Sequence, residues 1–156
     1  VGFKFLADYF QIPITDERSA PAWEKANTDH LPVLLHTWGG SSYDGPQLVR
    51  TCAERYPDAQ ILMGHSCHGA WKEAAQLAVD FANVYLELTA VLDDRGAVDL
   101  FVREAGSEKV IFGTDTPWFN HHYYIGALLG AEMNDDDRRN ILYRNAQRIL
   151  GDMLEM

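Results

Sequence analysis

Ile61-Leu62-Met63-Gly64-His65 is an apolar run without polar alternation that stops on an imidazole. A parallel strand covered on both faces reads this way, because neither side of its pleat meets water. Working outward from it, similar runs recur at Val1 to Leu6, Pro32 to His36, Val84 to Leu88 and Lys109 to Gly113, with Gln60 to His65 as the central one. Between them lie stretches with helical spacing. Val98, Phe101, Val102 and Ala105 follow i, i+3, i+4, i+7 and end at Gly106, a natural helix stop. Trp71, Ala74, Ala75 and Ala78 mark a second apolar face, and Pro46 suits the first turn of a third helix.

The final helix is the best delimited. Asn134 with Asp135, Asp136 and Asp137 provides a cap and negative charge at the positive end of the helix dipole. Leu142, Ala146, Ile149 and Leu150 are expected to form its buried stripe, with Gly151 as the stop. The aspartate run reads as a solvated helix start rather than a metal site. No linker or charge block divides the chain, so residues 1–156 read as one domain. Strand–helix alternation implies a parallel α/β sheet. Two architectures fit it, an open doubly wound sheet or part of a closed (β/α)8 barrel. Five units in 156 residues take about 31 residues each, and eight would need the ~250 of a full barrel.

Composition narrows the function. Thirteen Lys+Arg against 23 Asp+Glu leave a formal charge of −10, which argues against a nucleic-acid surface. No apolar run approaches the ~20 residues of a membrane-crossing helix. Cys52 and Cys67 are the only cysteines and form no CxxC pair, so a reducing, cytoplasmic setting is expected. Cys52 falls on an apolar helix face and reads as core. The chain opens directly on a strand without Met, as a fragment or processed product would.

The chemistry sits where the runs end. His36, His65 and Asp115 close three of the five runs. In a parallel α/β protein the carboxyl ends of the strands share one face, where ligands bind. Two imidazoles and a carboxylate on one rim suit a divalent metal, zinc foremost. Each residue alone is more often a capped, capping or core group than a ligand; their shared position carries the reading. Glu87 reads as paired with a nearby cation, and Lys4 as snorkelling or ion-paired, with a carbamylated metal-bridging lysine as the alternative. Trp38, Tyr43, Trp118 and Phe119 follow strand ends and are candidates for an apolar pocket, with Lys72 and Arg95 as the nearest cations. His68, His121 and His122 read as solvent-facing.

On these residues the chain resembles the amidohydrolase-related family, metal-dependent enzymes of the amidohydrolase superfamily with a TIM-barrel fold. Leu31-Pro32-Val33-Leu34-Leu35-His36-Thr37 is similar to the family's fifth strand, and Met63-Gly64-His65-Ser66 to its sixth. Ile111-Phe112-Gly113-Thr114-Asp115-Thr116-Pro117-Trp118 is similar to the eighth, and Asn145 to Gly151 to the closing helix. The spacing, 29 residues from His36 to His65 and 50 from His65 to Asp115, strengthens the match. The resemblance implies a partial (β/α)8 TIM barrel, about strands 4 to 8 with their helices. The first three units, with the family's first-strand His-x-His pair, are missing from this sequence.

The resemblance further implies His36 and Asp115 as metal ligands, and Asp115 and His65 as catalytic residues. A bound metal lowers the pKa of its water from about 15.7 toward ~7. Asp115 would take the water's proton, and His65 would hydrogen-bond the carbonyl or oxyanion. The implied reaction is hydrolysis of a C–O or C–N bond in a small molecule, a lactone or amide. Relatives with this constellation also decarboxylate aromatic or enoic acids, which is the alternative. A truncated, non-catalytic α/β domain is the third reading, since the isolated chain is expected to be inactive without the His-x-His pair. A small-molecule substrate is the expected partner, with neither nucleic acid nor membrane, and homo-oligomerisation stays open.

Overall fold

The structure, a computed structural model, describes residues 2–91 and 93–151. Val1, at the start of the first expected strand, and residues 152–156, at the end of the expected domain, lie outside it. The strands are β1 (Phe3–Phe5), β2 (Pro32–Trp38), β3 (Gln60–His68), β4 (Val84–Glu87) and β5 (Val110–Ile111). Around them run α1 (Ala7–Phe10), α2 (Ala20–Thr28), α3 (Pro46–Arg55), α4 (Trp71–Asp80), α5 (Ala97–Ala105), α6 (His121–Gly130), α7 (Asp135–Arg139) and α8 (Asn145–Leu150).

All four strand pairings are parallel, and the order across the sheet is β1-β2-β3-β4-β5. This order decides between the two architectures. A doubly wound sheet reverses direction at a switch point, which puts helices on both faces. Here the order never reverses, as in the wall of a barrel, so the chain is a partial TIM barrel.

Alternate residues of each strand therefore meet different surroundings. Val33, Leu35, Ile61, Met63, Leu86 and Val110 pack with Val49, Ala74, Ala78 and Phe101 from the helices in one continuous core. On the other face, Leu62, Tyr85 and Ile111 form a small separate cluster with Ile149 of α8. The same face carries Lys4 (paired with Leu34), His36 (paired with Gly64) and Glu87 (paired with Ile111).

The helix ends follow the sequence. Pro46 opens α3, and Gly106 closes α5 at φ 83°. Asn134 and Asp137 cap α7 reciprocally, and Asp135 and Asp136 form exposed ion pairs with Arg138, Arg139 and Arg144. The expected last helix is interrupted, because a π-helical turn, Asn140–Arg144, separates α7 from α8. The Ile141 carbonyl accepts from Phe112 N–H at 3.0 Å, and a helix whose carbonyl is drawn outward widens there. The fully buried positions are consequently Ile141, Asn145 and Ile149, flanked by the expected Leu142, Ala146 and Leu150. Asn145 Nδ2 donates to the Ser107 and Val110 carbonyls, both at 2.7 Å, which fastens α8 to the start of β5.

Candidate functional site

His36 is presented by β2 near its carboxyl end. Its Nδ1 lies 3.1 Å from Oδ2 of Asp44, a fully buried carboxyl on the loop before α3. That loop is drawn in by Ser41 Oγ, which accepts the Tyr43 and Asp44 amides. With its Nδ1 proton directed at Asp44, His36 leaves Nε2 as a lone pair, the arrangement found behind metal-ligating histidines. Asp44 Oδ1 is buried without a hydrogen-bond partner, so Oδ2 alone orients the imidazole.

His65 is held by an unusual turn. His65, Ser66 and Cys67 have φ of 67°, 47° and 51°, three consecutive left-handed residues at the end of β3. Each costs of the order of 1 kcal/mol or more unless its surroundings impose it. The imposing contacts are identifiable. Thr37 Oγ1 donates to the Gly64 carbonyl (2.7 Å) and accepts from Cys67 N–H (2.8 Å), while Ser66 Oγ donates to the Glu87 carbonyl (2.8 Å). The turn aims the His65 ring so that Nδ1 lies 3.2 Å from the Thr89 carbonyl. A carbonyl only accepts, so Nδ1 carries the proton and Nε2 is free to accept one. Burial pushes the His65 pKa below its ordinary value, favouring this neutral form.

Glu87 departs from expectation. No cation lies within ion-pair distance of it among the described residues. Its carboxylate instead accepts from Thr89 Oγ1 (2.6 Å), Thr89 N–H (3.2 Å) and His65 N–H (3.3 Å). Burial raises its pKa despite these donors. The carboxylate fills the space beside Gly113, where any Cβ would collide with Oε1. Glu87 thus joins the His65 turn to the segment leading to Asp115.

His36, His65 and Asp115 line one cleft of about 600 Å³ with Lys4, Tyr9, Trp38, Trp118 and Phe119. The imidazoles of His36 and His65 meet edge to face with centroids 4.8 Å apart. Asp115 is exposed and left-handed at φ 50°. Trp38 stacks near His36 (5.8 Å), and Tyr9 meets His36 edge-on (5.6 Å). Three of the four aromatic candidates reach the cleft; Tyr43 instead packs against the core. Lys72 and Arg95 line other surface hollows, and the cation in the cleft is Lys4. His68 is not simply solvent-facing, since it stacks on the back of Trp38 at 4.3 Å with Trp71 edge-on at 4.9 Å. His121 and His122 are exposed at the start of α6, as expected, and Cys52 is core.

Asp44 and Tyr9 escape a linear reading. Asp44 sits in Ser41-Ser42-Tyr43-Asp44-Gly45-Pro46, which reads as the approach to a helix. Only its return onto β2, eight residues downstream of His36, gives it a partner in the site.

Among the described residues, no group of three His, Cys, Asp or Glu side chains is arranged to hold a metal ion. The donors at hand nevertheless fit a divalent cation in part. His36 Nε2, backed by a buried carboxylate, and the exposed Asp115 carboxylate are both suited to ligation. They are two ligands, fewer than the three proteins usually supply to a catalytic zinc.

Residues 1–151 match the family described as Amidohydrolase. Protein fluG of Emericella nidulans is 26% identical over 112 residues, 65% of this chain and 13% of that protein. Among solved structures, an uncharacterized TIM-barrel protein, Bb4693 of Bordetella bronchiseptica, superposes with a TM-score of 0.79 at 23% identity. That match covers 89% of this chain and 52% of the other. A dihydroxybenzoic acid decarboxylase of Polaromonas sp. JS666, with bound manganese and the inhibitor 2-nitroresorcinol, gives 0.69 at 16% identity. It covers 90% of this chain and 56% of the other. The chain thus spans about half the length of these structures and a small part of the curated relative.

Proposed function

The chain belongs to the amidohydrolase family, and from that premise we propose that its cleft serves metal-dependent hydrolysis of a C–O or C–N bond in a small molecule of lactone or amide type. One observation carries the reading: His36, His65 and Asp115 open into a single cleft, with the His36 ring oriented by a buried carboxylate. His36 and Asp115 are the residues that would hold a divalent cation, zinc by the match of imidazole and carboxylate donors. When bound, such a cation supplies charge that polarises the scissile bond and acidifies water.

The chain's own groups have separate tasks. Asp115 takes the proton of the attacking water and returns it to the leaving group. His65, its Nδ1–H held by the Thr89 carbonyl, takes a proton from solvent water on Nε2 and through it donates a hydrogen bond to the developing oxyanion. Asp44 keeps His36 in one tautomer. The aromatic walls exclude water from around the substrate, which strengthens each of these interactions.

A second reading, non-oxidative decarboxylation of an aromatic acid, is favoured by the same walls and by the fold likeness to the Polaromonas decarboxylase. In it, protonated His65 or Asp115 delivers a proton to carbon as CO₂ leaves.

The test is to titrate metal-free protein with Zn²⁺ and Mn²⁺ against a chromophoric chelator. We expect one equivalent bound, weakened at least ~10-fold in His36→Ala and in Asp115→Ala. Binding equal in wild type and both variants, or none in wild type, would overturn the metal reading. Product analysis then separates the reactions, since only the second evolves CO₂.

A further inference from the structure

We propose that Lys4 is the anion-binding, specificity-determining residue of the cleft, so that the substrate is a small, flat, conjugated acid whose carboxylate lies against Lys4 Nζ. This rests on the reading of the cleft as the substrate site, but not on which reaction occurs there.

Lys4 points into the cleft because it occupies the inner-face position of β1, opposite Leu34 and one pleat below His36. Among the described residues it is the only Lys or Arg side chain lining the cleft. Three carboxylates, Glu87, Asp115 and Asp44, act on its charge; Asp115 shares the cleft with it, and the other two are engaged with neighbouring groups. Glu87 accepts from Thr89 and from the His65 amide, and Asp44 Oδ2 accepts from His36. No carboxylate lies within 4.0 Å of Lys4 Nζ among the described residues, and no hydrogen bond to another side chain or carbonyl satisfies it there. Lys4 is exposed in the cleft, where desolvation by the surrounding protein lowers its pKa and the nearby carboxylates oppose that shift. An ammonium open to the cleft, with no partner within ion-pair distance among the described residues, is available to an incoming anion.

The charge of the molecule sharpens the point. At −10 the protein repels free anions in general, so an acid substrate needs a local cation to enter. The walls select the rest of the ligand. Trp38, Trp118, Tyr9 and Phe119 offer flat apolar faces, and Trp118 is 81% exposed, available to a ligand rather than committed to the core. A lactone or amide without a carboxylate would leave Lys4 unpaired on binding, at a cost that one bearing a carboxylate avoids.

The test uses benzoate and its neutral isostere benzamide as probes, titrated by calorimetry into protein stripped of metal with EDTA. We expect benzoate to bind at least ~10-fold more tightly than benzamide. In Lys4→Met this ratio should fall to about one while benzamide affinity stays unchanged, which also shows the cleft intact; Lys4→Arg should keep the preference. Absence of saturable benzoate binding to wild type, or a preference that survives in Lys4→Met, overturns the proposal. Because no metal is present, failure here is separable from failure of the metal titration. A protein that binds Zn²⁺ but ignores Lys4 loses only this inference, and one that selects benzoate through Lys4 without binding metal loses only the metal reading.

Discussion

The two faces of the sheet are built from the same strands yet obey different rules. On the helix-facing side, Leu35, Ile61, Met63 and Leu86 are fully buried within the apolar core. One pleat away, His36 and Lys4 line a cleft, Glu87 is buried and bonded to the adjoining His65 turn, and that turn holds three left-handed residues in succession. The first face stabilises through burial, which is insensitive to orientation and tolerant of repacking. The second depends on directed contacts, each with a definite donor and acceptor. The sheet thus spends stability gained on one side to hold strained, polar groups on the other.

The contrast is most directly broken from the apolar side. Leu35→Ala leaves a cavity beneath the helices and should cost ~2–5 kcal/mol in denaturant unfolding. If the faces are as separate as they look, the surviving folded protein should keep its cleft, read as unchanged benzoate affinity at low denaturant. Loss of binding in step with stability would show instead that the two sides are one cooperative unit.

A smaller effect is expected where the faces meet at the Glu87–Gly113 contact. Gly113→Ala forces its Cβ onto Glu87 Oε1 and should cost ~1–3 kcal/mol. In the Glu87→Ala background the space is vacated, so the same substitution should be nearly neutral. A double-mutant cycle with no coupling between the two positions would refute this lock between the His65 turn and the Asp115 segment.

The least disruptive change sharpens the comparison furthest. Asp44→Asn keeps the shape of a buried side chain but removes the charge behind His36. Metal affinity should fall by about 10–100-fold while the unfolding midpoint barely moves. A large loss of stability with unchanged metal affinity would mean that Asp44 belongs to the core rather than to the site.

Much of this protein is legible in one dimension. The apolar runs located all five strands, because strands covered on both sides must be apolar throughout most of their length. Pro46, Gly106 and Asn134 marked helix ends through local backbone chemistry alone. His36, His65 and Asp115, which stand at run ends, line one cleft, since parallel strands bring those ends to one side whatever the intervening helices contain. Tertiary structure decided what depends on partners distant in sequence. The unreversed strand order selected barrel over open sheet, and it follows from how units pack, not from any one unit. Asp44 reached His36 by folding back across a loop, Glu87 took backbone amides in place of a cation, and Lys4 rather than Lys72 or Arg95 became the charge in the cleft. Periodicity records which residues avoid water, whereas the partner of a buried polar group is set by geometry in three dimensions.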